Sequence, residues 1–197
     1  ETHACEAFAK VYVFLLDRFL KLNDDVLPSP DVMSLHHMQR GTCAHRSIYV
    51  VSVLRSLGIP AAYDCIPFWG NYSTTGHAWV SYVDHDRTFT VYGRDTIAKE
   101  YNPINGSGLK SWGRFEHPHL VWDSIKRPPV ILRHCYELQQ PLLSRLDKDI
   151  PSGLKEPFSS NVSAQYGFTH HLELPSPDKG KAYLYAFETG KGWRAVT

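Results

Sequence analysis

The chain has 197 residues, 43% hydrophobic, 21% charged and 13% aromatic, with 13 Gly and 13 Pro, a globular composition long enough to bury its own core. Lys and Arg number 21 against 20 Asp and Glu, a formal charge of +1, so there is no electrostatic footprint for duplex nucleic acid or an anionic membrane. Four cysteines, none in CxxC spacing, fall far below a disulfide scaffold and favour cysteine chemistry over cysteine stapling.

In chain order, Phe8, Val11, Tyr12, Leu15, Leu16 and Phe19 recur on one stripe and predict an amphipathic helix from Cys5 to Leu22. Its longest apolar stretch, Val11 to Leu16, is about a third of a bilayer span. Ser29-Pro30-Asp31 resembles a helix start and leads into a short helix over Val32 to Met38. A third helix is expected from Thr42 or Cys43, with Ile48, Val51, Leu54 and Leu57 on one face, stopped by Gly58 and Pro60. The periodicity then switches to alternation: Ala61 to Pro67, His77 to Val83 and Thr88 to Tyr92 read as strands of an antiparallel sheet.

Residues 101–128 hold Asn102-Pro103, three glycines and Pro128, which is loop chemistry and marks an expected boundary between a domain over 1–125 and a small β-rich module over 126–197. In the latter, Val130 to Leu138, Val162 to Tyr166, His170 to Leu174, Ala182 to Phe187 and Trp193 to Val196 are short strand candidates of a sandwich-like module. With no initiator Met and a strand candidate near Thr197, the chain is expected to be a piece of a longer one, with any targeting segment upstream.

The residues that carry chemistry lie earlier. Cys43 follows Gly41 at the start of the third helix, where free backbone N–H groups and the helix dipole favour a thiolate. Bringing a thiol from about 8.5 to about 4 takes roughly 6 kcal/mol, while a helix terminus supplies under about 2. A cationic partner must supply the rest, and His77, opening Gly76-His77-Ala78-Trp79, is the candidate general base and acid. Asp95, after the following strand, is the candidate for orienting His77, Asp84 and Asp86 being too far along the turn. The amide of Gln39 is a candidate oxyanion donor beside the Cys43 N–H. Tyr63, Phe68, Trp69, Tyr72 and Trp79 either wall a substrate groove or form core.

Arg40-Gly41-Thr42-Cys43, Leu54-Arg55-Ser56-Leu57-Gly58-Ile59-Pro60-Ala61 and Gly76-His77-Ala78-Trp79, in that order, resemble the transglutaminase-like superfamily of papain-like cysteine enzymes over about residues 35–100. The resemblance implies Cys43 as nucleophile, His77 as base and acid, and an acid on the next strand. The sequence departs from the family there, since Val91-Tyr92-Gly93-Arg94 delays Asp95 by two or three positions.

The expected fold is therefore α+β, helices on an antiparallel sheet. The expected function is cysteine-dependent acyl transfer on peptide or protein amides, read as hydrolysis without a cofactor. Lysine cross-linking, or an inactive module binding peptides or cell-surface polymers, are the alternatives. By resemblance to bacterial members with β tails, export to the periplasm or cell surface is expected. Cys5, Cys65 and Cys135 read as small buried residues. The neighbouring His36, His37 and His45 invite a metal, but neither HExxH nor a zinc spacing occurs. Asn71, Asn105 and Asn161 open N-x-S/T triplets, which matter only in a glycosylating pathway.

Overall fold

The apolar stripe near the start of the chain forms α1 (Thr2–Arg18) in a computed structural model that describes residues 2–21, 30–67, 76–84, 87–90, 130–139, 157–166, 182–188 and 192–195. Phe8, Tyr12, Leu15 and Phe19 are buried, as the 3.6-residue period requires. Helix α2 (Val32–Met38) starts at Asp31, whose carboxylate accepts the Ser34 N–H at 2.9 Å. A two-residue parallel pair, β1 (Leu20–Lys21) with β2 (Arg40–Gly41), ties the exit of α1 to the exit of α2.

Helix α3 (Cys43–Ser56) packs across the molecule against α1 and the sheet. Its inner face is Ser47, Tyr49, Val50, Val51 and Leu54, rotated from the expected one. Val51 and Leu54 are buried as expected, while Ile48, which lines a surface cavity, and Leu57, at the helix end, are exposed by 40% and 59%. The helix ends as expected at Gly58, which has φ 73°. Ile59 N–H donates to Leu54 O at 3.0 Å and Gly58 N–H to Arg55 O at 3.0 Å, the paired bonds of a left-handed glycine stop.

Among the described residues the sheet is antiparallel with five strands: β3 (Ala61–Ile66), β4 (His77–Asp84), β5 (Arg87–Thr90), β6 (Leu132–His134) and β7 (Ser159–Asn161), in the order β5-β4-β3-β6-β7. Three helices on an antiparallel sheet make the fold α+β. Alternation splits the sheet into two faces. Ala61, Tyr63, Val80 and Tyr82 meet α1 and α3 in the main core, where Phe8 contacts Tyr82 edge to face at 5.4 Å. Asp64, Ile66, Trp79 and Ser81 occupy the other face, all buried.

The sheet crosses the boundary expected at 125/126: β6 pairs with β3 and β7 with β6. Residues 163–166, expected to end a strand, form a 3₁₀ turn (Ser163–Tyr166), strapped to β6 by Val162 N–H to Ile131 O at 2.9 Å and Ile131 N–H to Ser163 Oγ at 2.9 Å. The hairpin β8 (Tyr185–Glu188) with β9 (Gly192–Ala195) lies close to two expected strands, and Ala186 packs on the Val130 cluster. The candidate at His170–Leu174 lies outside the described residues. A fragment ending at residue 125 loses two strands of the sheet. It is expected to show no cooperative unfolding transition by circular dichroism, against a single sigmoidal transition for the full chain; a sharp melt of the fragment contradicts this.

Candidate active site

Cys43 is the first residue of α3 and is half-buried, as are Ala44, His45 and Arg46. The helix start is held by a reciprocal cap: Thr42 Oγ1 accepts the His45 N–H at 3.4 Å, and His45 Nδ1 accepts the Thr42 N–H at 3.3 Å. With His45 so engaged, the Cys43 and Ala44 N–H groups have no partner among the described residues. Gly41 is there for a physical reason. A Cβ at that position meets His45 Cβ at 2.7 Å and Nδ1 at 3.0 Å, so any side chain pushes the cap aside.

His77 opens β4 opposite Ile66, and Ala78 beside it pairs with Cys65. Gly76 is as constrained as Gly41: a Cβ there meets the Pro67 carbonyl O at 2.7 Å and the Ile66 carbonyl more closely still. Only glycine lets the chain approach β3 and deliver His77 into register. Cys43 lies near enough to Cys65 and Tyr63 for its charge to act on both. Of these two, Cys65 pairs with Ala78, the neighbour of His77. Alternation assigns His77 to the Trp79 face, where its ring stacks on Trp79 with centroids 6.0 Å apart, while α3 covers the other face.

Gln39 does not have the freedom an oxyanion donor needs. It ends α2 with φ 50°, and its Nε2 donates to His36 O at 2.6 Å and to Tyr49 Oη at 3.1 Å. Both amide hydrogens are thereby committed, and the group locks α2 onto α3. His36 Nδ1 lies 3.1 Å from the same Tyr49 hydroxyl, so His36 and His45 are both accounted for by hydrogen bonds within the fold. Trp79 is not a groove wall either. It is buried, its indole N–H donating to Tyr166 Oη at 2.8 Å. Tyr63 is half-buried. Phe68, Trp69, Tyr72 and Asp95 lie outside the described residues.

One acidic residue escapes the sequence reading altogether. Asp64 is fully buried and receives Arg133 Nε and Nη2, each at 2.7 Å, the Ser81 hydroxyl at 2.8 Å and the Tyr166 hydroxyl at 2.6 Å. Arg133 Nη1 also reaches Gln165 Oε1 at 2.8 Å. Burial works against the charge of Arg133, but the hydrogen bonds and charge of Asp64 outweigh it and hold the guanidinium above its ordinary value. Burial, with the charge of Asp64, pushes the Tyr166 hydroxyl up so that it stays a donor. Both Asp64 oxygens are thus engaged, which makes the residue an anchor of the sheet behind His77.

On the α3 face, burial first, then the charges of Asp64 and Cys43, push the Cys65 thiol up to about 12. Burial similarly raises Tyr63. These groups are neutral in the folded chain over a range where the unfolded chain ionises them. Stability is therefore fully present below the ordinary thiol value of 9.0 and falls as pH rises toward about 12. Denaturant titrations across that window are expected to show the fall, with a shallower slope in Cys65→Ala; a slope identical in the variant contradicts the assignment.

Arg133→Met leaves a buried carboxylate without its counter-charge and is expected to cost about 3–5 kcal/mol. Tyr166→Phe is expected to cost about 1–3 kcal/mol. The two are expected to be non-additive in a denaturation cycle, because both side chains bond Asp64 Oδ2. Additive losses contradict a shared network.

Residues 2–92 match the model described as the transglutaminase-like superfamily. No curated protein and no solved structure matches the chain.

Proposed function

We propose, from the membership of residues 2–92 in the transglutaminase-like superfamily, that this chain is a cysteine-dependent hydrolase of peptide or protein amides, with Cys43 as nucleophile and His77 as proton carrier. The superfamily includes cysteine-dependent acyltransferases and proteases. The observation that carries the reading is the start of α3: a half-buried cysteine at its first position, beside two backbone N–H groups without a partner among the described residues.

In the proposed reaction the Cys43 sulfur attacks the carbonyl carbon, and the oxyanion takes hydrogen bonds from the Cys43 and Ala44 N–H groups, a role that Gln39 leaves to the backbone. His77 gives its proton to the departing amine, the C–N bond breaks and a thioester remains. Water, losing a proton to His77, then attacks the thioester; the C–S bond breaks and the acid leaves. The pairing asks the imidazole to leave its stack on Trp79 for the sulfur. Asp95 is kept as the orienting acid, because both oxygens of Asp64 are taken. Water is favoured over lysine as acceptor because the first turn of α3 is half-exposed.

Alkylation by iodoacetamide, followed per cysteine by peptide mass spectrometry, tests the pair. Cys43 is expected to react near neutral pH well ahead of Cys65 and Cys135 and to lose that lead in His77→Ala, with peptide hydrolysis falling about 10²–10⁴-fold. Labelling of Cys43 no faster than Cys135 overturns the reading.

A further inference from the structure

A concavity lies between the outer side of α3 and the β3–β6 edge, along the helix from the Cys43 end. It encloses about 380 Å³ and is lined by Ile48, Val51, Ser52, Arg55, Tyr63, His134, Cys135, Tyr136 and Phe158. That volume suits a small organic ligand. Its rim is unusual for a solvent-facing surface: Ile48, Tyr136 and Phe158 are exposed by 40%, 84% and 47%, three large apolar side chains around one opening.

Within these walls the polar groups of α3 and β6 are mostly used. Ser52 Oγ donates to Ile48 O at 2.8 Å, Cys135 Sγ to Glu137 O at 3.6 Å, and the His134 ring packs on Tyr63 with centroids 4.6 Å apart. Arg55 differs. Its Nε donates to Ala61 O at 2.7 Å, and its guanidinium carbon sits 4.8 Å from the centroid of the Tyr136 ring. These contacts fix the plane of the fork, and among the described residues its two Nη nitrogens have no partner. Among the described residues no Asp or Glu lines the cavity. A pre-oriented cation whose donors and charge have no partner among the described residues, in a largely apolar cavity, complements one ligand class.

We propose that this cavity binds an aromatic carboxylate, its ring between Ile48, Tyr136 and Phe158 and its carboxylate forked on the Nη nitrogens of Arg55. Binding is independent of any reaction at Cys43. The chemistry is shared by a free aromatic acid and by the C-terminal residue of a peptide ending in an aromatic side chain.

Binding of N-acetyl-L-phenylalanine, its uncharged amide and a short peptide ending in Phe with a free carboxylate, followed in the full chain by amide NMR shifts at Ile48, Ser52, Tyr136 and Phe158, tests this. The acid is expected to bind at least about tenfold tighter than the amide. Arg55→Gln should reduce the acid to the level of the amide. Ser52→Leu, which fills the cavity while keeping Arg55, should abolish binding of both. Peptide binding as tight as the acid assigns the ligand to a chain terminus, and exclusion of the peptide assigns it to a free acid. Equal affinity of acid and amide, no binding of either at millimolar concentration, or unchanged binding in Ser52→Leu in the folded variant overturns the proposal.

Discussion

The constraint on which the sheet depends is the buried carboxylate of Asp64. A charge with no solvent exposure is tolerable only when its oxygens are matched, and here a two-pronged guanidinium and two hydroxyls supply the match. The donors come from three places far apart in sequence: Ser81 on β4, Arg133 on β6, and Tyr166 beyond β7. Satisfying one side chain therefore fixes the order of the strands and the docking of a turn 102 residues away. It also explains why the sheet continues past the segment that matches the superfamily: residues 2–92 alone hold the acid and one of its donors, Ser81.

The same anchor bears indirectly on the proposed chemistry. Trp79 hydrogen-bonds the Tyr166 that bonds Asp64, and His77 stacks on Trp79. The strand that carries the imidazole is thus held from behind, on the face away from α3. Cys43, the proposed nucleophile, is held separately, by the Thr42–His45 cap and by Gln39 and Tyr49, which lock α2 to α3. Each unit depends on a glycine, Gly41 under the cap and Gly76 against the Ile66 and Pro67 carbonyls. Each of the short motifs that mark the site is in this sense a packing requirement as well as a chemical one.

Much of this was legible in the sequence where the signal is local. The α1 stripe, the glycine stop of α3, the β3–β4 alternation and the positions of Cys43 and His77 follow from neighbours a few residues apart, and the α+β class followed from their order. The rest depends on distant partners. Nothing within Ala61–Ile66 tells that Asp64 is paired, because Arg133 lies 69 residues on. Val162 to Tyr166 alternates like a strand, yet the buried Tyr166 hydroxyl draws it into a 3₁₀ turn. The inner face of α3 was misjudged at Ile48 and Leu57, since apolar side chains also line a surface cavity and a helix end. Gln39 and Trp79 offered suitable chemistry, and only the structure shows their donors already engaged.

The central claim is that Cys43 carries an acyl group during turnover. Mixing the chain with p-nitrophenyl acetate near neutral pH, and following nitrophenolate release alongside intact and peptide mass, tests it directly. The account predicts a burst of about one equivalent per chain and a single acetyl on Cys43 that later hydrolyses, both lost in Cys43→Ser. No burst, or acetyl spread over Cys65 and Cys135, contradicts it.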